Sequence, residues 1–330
     1  MLAGADLARG RRPLLRMPRA DSLAPSPADS LADWLAADGR PALRRRSPVG
    51  GGCIHQAWCL ELQDGHRLFA KTNRAEALPL LQAECDGLAA LGAAAGLADS
   101  GAPLVPQPIA LLELPDQVVL LLPWLELQGG GGWEALGAAL AGLHRRSLER
   151  VCGTGDRGGA HFGWGRDNFI GAGPQANGWL DDWGLFFAQR RLQPQLERLA
   201  AAGIRLRGAG ELLAAVPLWL ADHRPSACLV HGDLWSGNAG LTASGQGVLF
   251  DPAVHRADRE VDLAMARLFG GFPVAFHRGY EASWPLPAGH RQRVDLYNLY
   301  HLLNHANLFA GGYVQGAQAC LERLLKSPPL

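Results

Sequence analysis

Apolar residues recur along this chain with two different periods, and the change of period divides it. After Ser30, the residues Leu31, Trp34 and Leu35 fall three and four apart, which predicts a short amphipathic helix. From Pro41 to Val49 the pattern becomes strand-like and runs into Gly50-Gly51-Gly52. Residues 53–62 have β-type composition, Asp64-Gly65 is a hairpin signal, and His66 to Thr72 supplies a third strand. Leu81, Leu88 and Leu91 then share one stripe of a helix expected over Leu78 to Ala95. Two more strands, 108–114 and 117–122, are joined at Pro115-Asp116. Beyond Gly129 to Gly132 the pattern is helical, with helices expected over 133–147, 180–201, 209–222, 260–269, 290–310 and 315–326. A strand-and-loop island from Cys228 to Pro252 interrupts them. The expected organisation is an α+β chain with three parts. Residues 1–28, rich in Ala, Arg, Pro and Ser, form a loosely ordered extension, 29–124 a small β-rich N-lobe, and 125–330 a larger, mainly helical C-lobe.

Composition adds mostly exclusions. With 330 residues and 48% hydrophobic positions, the chain is long enough for two compact lobes. Its 31 basic and 31 acidic residues cancel, and no basic stripe stands out, so nucleic acid is not an expected partner. The most apolar stretch, Ile109 to Leu127, is broken by Glu113, Pro115, Asp116, Pro123 and Glu126, and no membrane partner is expected. The six cysteines are scattered without a CxxC pair, which fits a reducing cytoplasm better than a zinc or disulfide framework.

The candidate chemistry sits in the island. His231-Gly232-Asp233-Leu234-Trp235-Ser236-Gly237-Asn238 is followed by Asp251-Pro252-Ala253, with Leu229-Val230 entering the first loop and Val248-Leu249-Phe250 delivering Asp251. Phosphoryl transfer needs a carboxylate to orient the attacking hydroxyl and accept its proton, and oxygen ligands for a magnesium ion that offsets phosphate charge. Asp233 suits the first task, and Asn238 and Asp251 the second. Asp233 and Asn238 are five residues apart, the separation of the catalytic Asp and metal-binding Asn in protein kinases. The N-lobe adds partner pieces. Gly50, Gly51 and Gly52 can bring backbone amides close to phosphate oxygens, although a plain glycine hairpin has the same composition. Lys71, on the strand face of Phe69, suits the ATP phosphates, and Glu84 on the next helix can orient it through an ion pair. No GxxxxGK[ST] run is present, so a Walker-type nucleotide site is excluded.

Taken together, these residues resemble the fructosamine kinase (ketosamine 3-kinase) family. The resemblance runs from about residue 47 to 310 and is carried by Gly51-Gly52-Cys53-Ile54, Phe69 to Arg74, Asn177 to Trp183, HGDLWSGN, Asp251-Pro252-Ala253, Asp258 to Ala264, Phe269 to Pro273 and Leu303-Asn304-His305. It implies a protein-kinase-like bilobal fold. It also implies an ATP- and magnesium-dependent transfer of the γ-phosphate to the 3-hydroxyl of a ketosamine, a sugar adduct on a small amine or a protein lysine. The resulting 3-phosphate is unstable and releases the sugar, so the implied role is deglycation, a form of protein repair. Bacterial-type members favour ribulosamines and erythrulosamines over fructosamines. HGD with its Asn, taken alone, also admits aminoglycoside and choline phosphotransferases, which stand as the alternative.

Several residues keep two readings. Trp235 lies beside the substrate or in the core. Asp182 is a first-turn capping acid or lines the acceptor pocket, and Asn304 and His305 are packing residues or acceptor contacts. Asp262 anchors the catalytic loop through hydrogen bonds. Pro123, Trp124 and Leu125 form the hinge whose backbone holds adenine. Cys53, next to the glycines, is either a small strand residue or a thiol that oxidises and pairs with a second chain, giving a monomer or a redox-dependent homodimer. Val254-His255-Arg256-Ala257 departs from the aromatic the family carries after its DPA and bears on acceptor preference.

Overall fold

The protein's structure, a computed structural model, describes residues 30–50, 54–96, 101–128, 130–153, 156–159 and 161–329. The expected N-terminal extension and the residues Gly51, Gly52 and Cys53 lie outside them.

Helix α1 (Ser30–Ala37) leads into strands β1 (Leu43–Val49), β2 (Gln56–Leu62) and β3 (Arg67–Asn73). Helix α2 (Leu78–Ala95) follows, then β4 (Ala110–Glu113) and β5 (Val118–Pro123). The five strands form one antiparallel sheet in the order β1-β2-β3-β5-β4. β5 is apolar along its whole length because both its faces are covered. Val119 and Leu121 join Leu31 and Leu35 of α1 in one cluster, while Val118, Leu120 and Leu122 join Leu81, Leu88 and Leu91 of α2 in another. Lys71 pairs in register with Leu120, so its side chain leaves the sheet on the α2 side.

The rest is mainly helical. It comprises α3 (Trp133–Leu148), a hairpin of β6 (Asn168–Ile170) and β7 (Gly173–Gln175), α4 (Trp183–Phe186), α5 (Gln193–Ala201) and α6 (Ala209–Trp219). Short strands β8 (Cys228–Val230), β9 (Ala239–Leu241), β10 (Gly247–Leu249) and β11 (His255–Ala257) follow. The chain then ends with α7 (Glu260–Leu268), α8 (Val274–Ser283), α9 (His290–Phe309) and α10 (Gly312–Lys326). β8 pairs with β11 and β9 with β10, so two small antiparallel ladders frame the HGD loop. This is the expected α+β, protein-kinase-like bilobal architecture.

Several details go beyond the pattern-based expectation. The single helix expected over 180–201 is α4 and α5 joined by a π-helical stretch, Phe187–Leu192. One added residue per turn there rotates Arg191 inward. Its guanidinium is fully buried against the Phe186 ring, 4.7 Å from the centroid, and donates to Asn177 Oδ1 at 2.8 Å. Helix α8, which the periodicity did not reveal, packs Phe276 and Tyr280 against α3. Val254-His255-Arg256-Ala257 is interior structure: Arg256 is fully buried and forms a two-nitrogen ion pair with Asp156 while donating to the carbonyls of Ser147, Ala227 and Arg150.

Candidate active site

The HGD loop leaves β8 and returns through β9, and a buried carboxylate holds its start. Asp262, on the first turns of α7, accepts from the His231 backbone N–H at 2.7 Å and from that of Gly232 at 2.8 Å, and it contacts His144 Nε2 at 3.1 Å. Burial would raise this carboxyl, but the His144 contact and the amides outweigh it and hold Asp262 below the usual carboxylate range. His144 is fixed in turn by the Tyr280 hydroxyl at 2.8 Å. His231 closes the loop from within. Burial lowers its imidazole below the ordinary value, Nε2 lies 2.9 Å from the Phe250 carbonyl, and Nδ1 accepts the Asp233 N–H at 3.3 Å. Gly232 has φ +81°, and a Cβ there would lie 2.1 Å from the Ala253 carbonyl oxygen, so the turn admits only glycine.

Asp233, Asn238, Asp251, Lys71 and Glu84 come together where this loop meets the sheet. The Lys71 ammonium donates to Glu84 Oε1 at 2.7 Å and also bonds Asp251 Oδ1. Burial disfavours the ammonium, yet the charges of Asp251 and Glu84 outweigh that and raise Lys71 above its ordinary value. Asn238 Nδ2 donates to the Asp233 carbonyl at 2.9 Å and to Asp233 Oδ2 at 3.1 Å. With the amide nitrogen engaged, Asn238 presents its Oδ1 as the remaining ligand atom. Asp251 follows β10 at φ +55°, a left-handed conformation that Asp tolerates better than most residues, and 42% of its side chain is open to the cleft. Burial, followed by the neighbouring charge of Asp251, pushes the Asp233 carboxyl up to about 7.

Two protein oxygens, one from a carboxylate and one from an amide, suit a magnesium ion that completes its shell with phosphate oxygens and water. The Asn238 and Asp251 donor set fits that description. A second convergence of ligand atoms, His223, Asp258 and Glu260, is already satisfied from within. Arg293 makes two bonds to Glu260, at 2.9 and 2.7 Å, and Asp258 accepts from Tyr297 and contacts His223.

The other expected residues are distributed around this centre. Gly50 is exposed, with nothing within 4 Å of an added Cβ. Pro123, Trp124 and Leu125 leave the end of β5 half-buried, with the Trp124 ring 6.3 Å from that of Phe69 and 5.4 Å from the Arg67 guanidinium. Trp235 is 39% exposed on the loop and is not a core residue. A Cβ on Gly237 would lie 2.1 Å from that indole. Asp182 caps α4, accepting from the Leu185 N–H at 2.7 Å. Asn304 is buried, donates to the Ile170 carbonyl at 3.3 Å and keeps an unpartnered Oδ1. His305 bonds the His301 carbonyl at 2.8 Å and packs among Phe269, Phe309 and Tyr313. The structure thus brings Lys71, Glu84, Asp233, Asn238 and Asp251 together, while the hydrogen bonds that Asp182, Asn304 and His305 make are to the backbone of Leu185, Ile170 and His301.

Sequence reasoning missed His55 and gave no task to His231. The His55 ring contacts Asn73 Nδ2 at 3.0 Å, and burial followed by the charge of Lys71 drives it down to about 4. Its one sequence signal is its place two residues after Cys53, at the end of the glycine run.

A β-sheet lobe carrying an ion-paired lysine, set against a helical lobe with an Asp–Asn loop and a strand-borne Asp, defines a phosphotransferase of the kinase-like class. The fructosamine kinase family model matches residues 29–327, and the chain belongs to that family. A protein named Probable ketoamine kinase from Synechocystis sp. is 40% identical over 306 residues, covering 92% of this chain and 98% of the relative. The chloroplastic Protein-ribulosamine 3-kinase of Arabidopsis thaliana is 32% identical, with 94% and 91% of the two chains covered. Among solved structures, a candidate fructosamine-3-kinase from Thermobifida fusca superposes with a TM-score of 0.75 at 28% identity, covering 90% of this chain and 99% of that one.

Proposed function

We propose that the protein is an ATP- and magnesium-dependent ketosamine 3-kinase acting on ribulosamines or erythrulosamines, and more weakly on fructosamines. The observation that carries this reading is the convergence of Lys71, Glu84 and Asp251 on one side and Asp233 with Asn238 on the other. Family membership and the relatives named for ketoamines and ribulosamine support the acceptor class.

In the mechanism, Glu84 holds Lys71 in place to contact the ATP phosphates. Gly50, Gly51 and Gly52 cover those phosphates with backbone amides, and the backbone of Pro123, Trp124 and Leu125 receives adenine. Magnesium, when bound to Asn238 Oδ1 and the Asp251 carboxylate, offsets charge on the phosphates. Asp233 accepts a hydrogen bond from the acceptor 3-hydroxyl and aims its oxygen. That oxygen bonds to the γ-phosphorus, the bond from phosphorus to the β,γ-bridging oxygen breaks, ADP leaves, and the hydroxyl proton passes to Asp233. A carboxyl pushed up to about 7 is well matched to accepting a proton near neutral pH. Trp235 packs its exposed indole against the sugar or amine, with Asp182, Asn304 and His305 assigned to the wider acceptor side. Breakdown of the 3-phosphate then frees the amine, which makes the reaction a deglycation step on small amines or protein lysines.

The same reading has the enzyme working in the cytoplasm without nucleic-acid or membrane partners. Among the described residues no helix is long and apolar enough to cross a membrane, and Cys59, Cys85, Cys152, Cys228 and Cys320 are free. It also keeps Cys53 as a thiol whose oxidation links two chains, so that a monomer gives way to a homodimer under oxidant.

The test is ADP release with ribulose-lysine, fructose-lysine, kanamycin and choline as acceptors. Turnover is expected with the two ketosamines, ribulose-lysine first. Turnover of kanamycin or choline alone would replace the ketosamine reading with an antibiotic- or choline-type phosphotransferase.

A further inference from the structure

Away from the cleft, a cavity of about 710 Å³ opens where the C-terminal end of α7, the first turn of α9 and the last turn of α10 meet. Four cations line it, Arg267, Arg291, Arg323 and Lys326, against the single carboxylate of Asp295. Arg323 bonds that carboxylate at 3.0 Å, and Arg267 reaches Glu281 only at 3.6 Å. Among the described residues Arg291 and Lys326 have no ion-pair partner, and both are exposed. Arg291 also stands close enough to Arg267 to repel it, adding to the burial that depresses the Arg267 guanidinium.

The local sequence works against this arrangement. Helix α9 begins without a side-chain cap and without an acid in its first turn, and it carries Arg291 there, beside the positive end of the helix dipole. Arg293, two positions on, is committed to Glu260, so it does not relieve its neighbour. Uncompensated like charge at a helix N-terminus, inside a cavity, is the kind of local conflict that a bound anion resolves. The volume falls within the range of small-molecule sites and is small for a polymer. Three of the four cations are arginines, whose planar forks match phosphate oxygens in pairs. Val294 and Leu324 supply an apolar wall for the body of such a ligand.

We propose that this corner is a binding site for a small molecule bearing two or more phosphate groups, separate from the nucleotide cleft. The proposal does not depend on the identity of the acceptor. Inorganic tripolyphosphate is the probe, titrated by calorimetry at low ionic strength into the full chain, into R291E/K326E and into K71A. Binding is expected in the wild type and in K71A alike, and roughly tenfold or more weaker in R291E/K326E. R291Q/K326Q, which removes the charges without reversing them, gives the same comparison if the reversed pair disturbs folding. Citrate is expected to bind roughly tenfold more weakly than tripolyphosphate, because it carries less negative charge and offers fewer acceptor oxygens to the guanidinium forks. No binding in the wild type, loss in K71A with retention in R291E/K326E, or equal affinity for citrate would each overturn the assignment.

Discussion

The rim of the cleft and the floor beneath it are built from the same residue types and behave in opposite ways. On the floor, Asp262 and Asp258 are buried and fully engaged by amides, imidazoles and a tyrosine, and both are held below the usual carboxylate range. On the rim, Asp233 is half-buried next to Asp251, and its carboxyl is pushed up to about 7. Floor carboxylates are ionised because the fold solvates them with its own donors. The rim carboxylate carries its charge at an energetic penalty. Stability is concentrated where the donors are complete, and reactivity where they are not.

The largest expected effect breaks the comparison at the rim. Asp233→Asn should lower kcat by roughly 10²–10⁴-fold while leaving the KM for ATP nearly unchanged, because it removes the proposed hydroxyl-orienting base and no nucleotide contact. The same substitution should raise Tm most at pH 8 in protein free of metal and nucleotide, less at pH 5, and little below the ordinary carboxylate range. The folded-state pKa is raised, so the carboxyl favours the folded state while protonated, and that advantage is fully present below the ordinary carboxylate value and is lost progressively as pH rises from there through about 7. A thermal melt at the two pH values checks the sign, and a lower Tm at pH 8 would contradict it.

At the floor the sign reverses. Asp262→Asn puts an amide N–H₂ against at least one loop N–H and should destabilise the protein by about 2–3 kcal/mol at pH 7. Because the folded-state pKa of Asp262 is depressed, its contribution is present above the ordinary carboxylate value and is lost as pH falls through the folded value. The deficit of the variant should therefore shrink only in acid, which denaturant melts from pH 7 to pH 3 would read.

Between rim and floor lies Asp251, which Lys71 holds ionised while its open edge faces the cleft. Asp251→Asn should raise the magnesium concentration needed for half-maximal rate by about tenfold or more, since a hard cation favours a carboxylate over an amide. An unchanged magnesium titration at fixed ATP would move the metal elsewhere. The smallest effect belongs to Asp182. Its bond to the Leu185 N–H makes it a cap, so Asp182→Ala should cost about 1 kcal/mol of stability. A raised acceptor KM in that variant, without a change in the KM for ATP, would add the acceptor-side task to the cap.

Most of the rim was legible from residue order alone. Asp233 and Asn238 are local in sequence, Asp251 follows a short apolar strand, and Lys71 follows the two-residue alternation of β3, so spacing carries their directions. Trp235 shows the limit of that approach. An indole between a leucine and a serine reads equally as core or surface, and only the packed loop leaves it 39% exposed. The π-helical turn at Phe187–Leu192 was invisible for a related reason. No local pattern marks it, and the partner Arg191 meets inside, Asn177, lies 14 residues away in sequence.

By itself, then, the chain determined its helices and strands through hydrophobic period, its two-lobed order through the switch between periods, and its family through Asp, Asn and Lys motifs at fixed separations. Those are short-range properties, set by backbone geometry within a strand, a helix or one loop. The tertiary structure alone decided which carboxylates would be satisfied and which left wanting. Asp233 and Asp262 are 29 positions apart and chemically identical. Their ionisation differs because donors from α3 and the HGD loop converge on the one carried by α7, whereas the other is half-buried beside the charge of Asp251. Long-range convergence of that kind depends on how distant segments pack, and no local pattern encodes it.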